Sequence, residues 1–190
     1  MTEPQFDLER AAASLEAVVG AIGDDQLDAR TPCGQTLVRD QLAHVLGFSE
    51  AFRRGATKEG IGTSAPPSAA ALPDAWRTLI PAQLKALTAA WRDPAAWAGD
   101  TEVGGVTAPA PEMARFALNE VIVHGWDLAH ATGLPYAPAE TDLAVLLDML
   151  KDTPAEGVPG LFGPRVPVAD DAPPLDRVLG LTGRSTAGLP

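Results

Sequence analysis

Apolar side chains recur along most of this chain with a period near 3.6 residues, the spacing that gathers them on one face of a helix. Leu8, Ala11, Ala12, Leu15, Val18, Val19 and Ile22 share such a face, which predicts a first helix from about Asp7, a suitable N-cap, to Ile22. Gly23-Asp24-Asp25 ends it, and residues 26–35 read as a loop containing Thr31-Pro32-Cys33-Gly34. A second helix is predicted from Thr36, as N-cap, to about Arg54. A third, from about Pro73 to Trp91, carries Trp76, Leu79, Leu84, Leu87 and Trp91; Pro81 should kink it or mark its true start. The longest is PEMARFALNEVIVHGWDLAHATG, Pro111 to Gly133, with proline in the first turn and glycine where a left-handed residue would end it. A fifth helix, about Pro138 to Lys151, turns Leu143, Leu146, Leu147 and Leu150 inward, and a short last one starts at Pro174. The connections at 55–72 and 93–110 and the tail from Thr153 are rich in Pro and Gly, with a short turn expected at Pro94–Trp97. The connection at 55–72 is long for antiparallel neighbours and suits a crossover between helices running the same way. No strand-like alternation and no internal repeat is visible. The pattern predicts an all-α fold, one domain over 1–190, with four long helices bundled and residues 152–190 as a C-terminal appendage.

Composition narrows the classes. A chain of 190 residues that is 46% hydrophobic can bury a core. A net charge of −11 argues against nucleic acid, whose phosphates demand a basic face, and against an anionic membrane surface. No run approaches the roughly 18 apolar residues of a membrane helix, and MTEPQFDLER has no signal-like pattern, so a cytoplasmic protein is expected. Cys33 is the single cysteine, which excludes an internal disulfide and a cysteine-based zinc motif.

Three histidines narrow the chemistry further. Glu120 and His124 are one turn apart on the longest helix, with side chains roughly 5–6 Å apart at Cβ. Met113, Phe116, Ala117, Leu128 and Ala131 flank them, so the pair faces inward. On a wheel centred on His44, Leu37, Phe48 and Ala51 fall within about 40°, which puts His44 inside the buried arc, near its edge. A lone inward histidine is more often a hydrogen-bonded core residue. Two with a carboxylate form a zinc-type ligand set that leaves a position open, and a metal offsets the burial of Glu120. Asp127 could orient His124 or pair with Arg39 or Arg115. His130 lies off the face and is expected at the surface, and Cys33 is expected to be a packed thiol. Arg177 and Arg184 could offer a cationic contact to an acidic electrophile or to the carboxylate of a thiol cofactor, but the favoured expectation is that both are solvated, because Gly183 should end the last helix first. No nucleotide-binding or hydrolase-elbow motif is present.

TPCGQTLVRDQLAHVLGFSE, NEVIVHGWDLAHATG and FGPRVPVADDAPPLDRVLGLTGR resemble segments of the DinB / mycothiol-dependent maleylpyruvate isomerase N-terminal domain superfamily, the last in an actinobacterial-type subgroup of mostly unknown function. The resemblance implies a DinB-like up-down-down-up four-helix bundle and a divalent metal, zinc or nickel, on His44, Glu120 and His124. It departs in two places. Thr36-Leu37 stand where the subgroup often has Trp-Thr, and the isomerase carries a further C-terminal domain supplying a substrate-binding arginine, where this chain has a short appendage.

Three functions compete. One is a metal-dependent transferase or isomerase-like enzyme in which a low-molecular-weight thiol, mycothiol by resemblance, attacks a small electrophile held under the 55–72 connection. A second is metal-dependent hydrolysis on the same ligands, short of a general base beyond Asp127. A third is a non-catalytic helical metal-binding or stress-response protein. The partners expected are the small thiol and electrophile, with no nucleic acid and no membrane, and with a homodimer left open.

Overall fold

The computed structural model describes residues 3–34, 36–59 and 72–186. Six helices carry most of it: α1 (Glu9–Ala21), α2 (Val38–Ala56), α3 (Trp76–Arg92), α4 (Ala110–Thr132), α5 (Glu140–Leu150) and α6 (Pro174–Leu181). Single 3-10 turns stand at Asp24–Gln26 and Pro94–Trp97. No described helix is long and apolar enough to cross a membrane.

The first four helices close on one another. α2 packs on α3 and α4, and α1 packs on the same two, so each borders two neighbours. Leu15 and Val19 of α1, Leu42 and Val45 of α2, Ile80 and Leu87 of α3, and Leu118 and Ile122 of α4 meet in the core, each buried. α4 sits centrally, in contact with α1, α2 and α5, and is therefore apolar nearly all round from Ala110 to Ala129. Gly133 ends it in the left-handed conformation, φ 69°, as its position in the sequence predicts. α6 packs on α5, and its Val178 joins the core.

Helix starts differ from expectation for local reasons. α1 starts at Glu9 with Leu8, not Asp7, at the N-cap, although Asp7 Oδ1 still accepts from the Glu9 N–H at 2.7 Å. Thr36 does not cap α2. Its carbonyl accepts from Thr31 N–H at 2.8 Å and Leu37 bridges to Arg30, so these residues are extended and the helix begins at Val38. Pro81 lies inside α3, which starts at Trp76 rather than Pro73.

The larger correction is a strand pair. β1 (Asp100–Val103) and β2 (Val106–Pro109) form an antiparallel hairpin inside the connection expected to lack strands. Gly104 and Gly105 make its two-residue turn with φ of 61° and 82°, the paired positive values that a twist-matched tight hairpin requires. The Thr101 hydroxyl donates to the Gly55 carbonyl at 2.5 Å and fastens the hairpin to the end of α2. The longer connection at 55–72 falls mostly on residues 60–71, outside the described residues.

Candidate metal centre

α2 and α4 cross so that three donor atoms converge. His44 Nε2 lies 3.0 Å from Glu120 Oε2, and His124 Nε2 lies 3.3 Å from the same oxygen. One donor atom from each of the three residues falls within 4.8 Å of the other two. The two imidazoles meet edge to face, centroids 4.8 Å apart and planes at 90°. Phe48, one turn after His44, touches both rings, edge-on to His44 and stacked on His124. The three residues singled out in the sequence do converge, but the environment of one differs from expectation. The His44 side chain is 41% exposed, because the edge of its arc opens into a pocket, whereas Glu120 is 24% exposed and His124 is buried.

Asp127 and Arg184 set the orientation of His124. The ring Nδ1 lies 2.9 Å from Asp127 Oδ2, and in a neutral ring a proton held there would leave Nε2 as the nitrogen able to bind a metal. Asp127 is fully buried. Its partners are neither of the arginines expected, since Arg39 pairs with Asp28 and Arg115 with Asp148. Arg184 takes that place. Its Nε donates to Asp127 Oδ1 at 3.3 Å and Nη2 to Oδ2 at 2.9 Å, while Nη1 donates to the Thr182 carbonyl at 2.9 Å. The expectation of a solvated Arg184 is overturned: α6 does end at Leu181, and the turn through Gly183 then points the guanidinium inward. Arg177 remains exposed and faces a different cleft.

The electrostatics follow from this crowding. Burial pushes the Glu120 carboxyl up, but the adjacent His124 and His44 imidazoles outweigh it and hold the group below the carboxylate range. Burial pushes His124 down, and the Glu120 and Asp127 carboxylates outweigh it, so the imidazole is raised. Asp127 is likewise raised by burial but held low overall by its bonds to His124 and Arg184.

The centre opens into a cavity of about 770 Å³. Its walls are the loop around Cys33, the α2 residues Asp40 and Gln41, the segment carrying Leu161, and Thr182 with Arg184. Asp40 stands one turn before His44, a helical spacing that sequence reading could have used to find it. Leu161 is 54% exposed at this wall. Gln41 is buried, and its side-chain nitrogen has no partner among the described residues. Cys33, half-buried, offers its sulfur within 4.8 Å of donor atoms of His124 and Asp127. Burial raises its thiol against the opposing pull of Arg184, which fits a packed thiol better than a nucleophile. His130 keeps out of the centre, as expected, but is half-buried, stacked on Trp126 with centroids 4.8 Å apart.

The chain is predominantly helical and has a DinB-like fold. Residues 8–129 match the family model described as the mycothiol maleylpyruvate isomerase N-terminal domain, and the chain belongs to that family. An uncharacterised protein of Mycobacterium tuberculosis, found in strains CDC 1551 and H37Rv alike, is 26% identical over 192 residues, spanning 96% of this chain and 98% of that one. The crystal structure of the mycothiol-dependent maleylpyruvate isomerase matches the fold with a TM-score of 0.67 at 20% identity, over 99% of this chain and 94% of that chain. A histidine-to-alanine mutant of it matches equally, at 19% identity. The match takes in the segment that carries Arg184 and leaves only 6% of the isomerase chain unmatched, so the expected departure, a further C-terminal domain in the isomerase with only a short appendage here, is not borne out.

Proposed function

We propose that this protein is a metal-dependent enzyme that activates a low-molecular-weight thiol, mycothiol or a close analogue, towards a small electrophile. The observation that carries the reading is the convergence of His44 Nε2, Glu120 Oε2 and His124 Nε2. The donor set fits a divalent metal of the zinc type: two neutral imidazole nitrogens and one carboxylate, with a position left for an exchangeable ligand. Glu120 makes no ion pair with a lysine or arginine among the described residues; its direct contacts are the two imidazoles, and Arg184 acts on it from further off. When bound, the metal supplies Lewis acidity that lowers the pKa of a thiol placed against it.

The protein's own residues do the rest. Asp127, braced by Arg184, keeps the His124 proton on Nδ1 and the ring fixed. Glu120 supplies negative charge that favours a cation between the helices. The cavity beside the centre is large enough for a small thiol and an electrophile together. Arg184 directs each of its three nitrogens to Asp127 or Thr182, which favours a bracing role over that of a free cation for substrate.

The same reading takes residues 1–190 as one domain, an up-down-down-up bundle with 152–190 as an appendage that completes the pocket, acting in the reducing cytoplasm where free thiols persist. Asp40 gives the hydrolytic alternative a specific observation, since this exposed carboxylate lines the same cavity and could serve as a general base. Calorimetric titration of mycothiol into zinc-loaded protein, in buffers of different ionisation enthalpy, separates the two. Binding with release of about one proton per site supports thiol activation, whereas no binding, together with ester or amide hydrolysis lost in Asp40→Asn, supports the hydrolase.

A further inference from the structure

A second cleft, sharing no lining residue with the cavity at the candidate metal centre, lies between the end of α5, residues 165–170 and α6, with a volume of about 530 Å³. Lys151, Arg165 and Arg177 all line it. In a chain with 14 basic and 25 acidic residues, three cations around one cleft is a local reversal of the prevailing charge. No ion pair among the described residues uses Arg165 or Arg177. Lys151 is paired with Asp148, and Asp170 also lines the cleft, so the uncompensated charge rests on the two arginines.

The cleft is held in shape. The Val166 N–H donates to the Gly180 carbonyl at 2.9 Å and the Arg165 N–H to the Ala155 carbonyl at 2.9 Å, tying the segment to α6 and to the tail. Arg165 Nη2 donates to the Lys151 carbonyl at 3.1 Å, which fixes the guanidinium over the end of α5. The remaining wall is apolar, formed by Leu147, Val168 and Leu181. Guanidinium groups lining one cleft suit a carboxylate, and an apolar wall beside them suits a hydrophobic body on the same molecule.

We propose that this cleft is a second binding site, separate from the metal centre, for a small organic carboxylate with an apolar body. The test is a titration of benzoate into ¹⁵N-labelled protein followed by amide chemical shifts, with benzamide and inorganic phosphate as parallel probes. Saturable shifts at Leu147, Lys151, Arg165, Val166, residues 168–170 and residues 177–181 are expected, unchanged in His44→Ala. Arg177→Gln, a change at an exposed position, should weaken benzoate at least fivefold. Benzamide should fail to saturate, and phosphate should bind more weakly than benzoate. The proposal is overturned if benzoate shifts no residue of the cleft, if benzamide binds equally, if phosphate binds as tightly, or if Arg177→Gln binds benzoate like wild type.

Discussion

Arg184 grips Asp127 with two of its nitrogens across 57 residues of sequence, at 3.3 and 2.9 Å, and Asp127 in turn holds His124 at 2.9 Å. The C-terminal segment is thereby wired to a candidate metal ligand. Removing one partner of a buried charge pair leaves the other uncompensated, at a cost of about 3–5 kcal/mol. Arg184→Ala should therefore lower the stability measured by denaturant unfolding by that amount. It should also weaken zinc binding in a chelator competition about 10–100-fold, the usual effect of losing a support behind a ligand. Arg184→Lys should recover only part of either, because an ammonium cannot reproduce the two-pronged contact. Unchanged zinc affinity in a folded Arg184→Ala protein would disconnect the segment from the centre.

Asp142 makes stability depend on pH. Burial lifts its carboxyl above the ordinary range, against smaller lowering effects from Thr141 and Arg10. A carboxylate whose native pKa is raised contributes fully below its unfolded value and loses that contribution as pH rises through the native value. Asp142→Asn removes the loss. Its melting temperature relative to wild type should rise between pH 4 and pH 8, by about 2–4 °C for each kcal/mol recovered. A difference that shrinks over that range would contradict the assignment.

The hairpin's seat on α2 is tested by volume. A Cβ at Gly55 would stand 2.7 Å from Val103 Cγ2. Gly55→Ala should cost about 1–3 kcal/mol by overpacking. Adding Val103→Ala should return most of that, seen as a coupling in a double-mutant cycle from urea unfolding.

How far sequence reached follows from the range of each signal. The central helix was legible in Pro111 and Gly133, and the juxtaposition of Glu120 and His124 in their one-turn spacing, because both are local. Asp127 was legible for the same reason, three residues from its partner. Arg184 was not, since nothing in the residues around it announces a carboxylate 57 positions away. The exposure of His44 depended on where neighbouring loops leave a gap, which a helical wheel omits. The hairpin did leave a signal in Val103-Gly104-Gly105-Val106, but strands of four residues are too short for alternation to stand out from a Pro/Gly-rich connection.

Metal removal should leave the fold intact. The core is built from the apolar faces of α1 to α5 and Val178 of α6, and the candidate ligands sit at the edge of it. Far-UV circular dichroism in EDTA should stay helical, with a lower melting temperature from the lost binding energy. Collapse of the helical signal on chelation would make the metal structural and favour the non-catalytic reading.

The central claim is that His44, Glu120 and His124 hold one divalent metal. Elemental analysis of protein purified without chelator tests it most directly. Wild type should contain close to one equivalent of metal, zinc above others, and the His44→Ala/His124→Ala double mutant, folded by circular dichroism, should contain almost none. Equal metal content in the two proteins, or none in zinc-supplemented wild type, would contradict it.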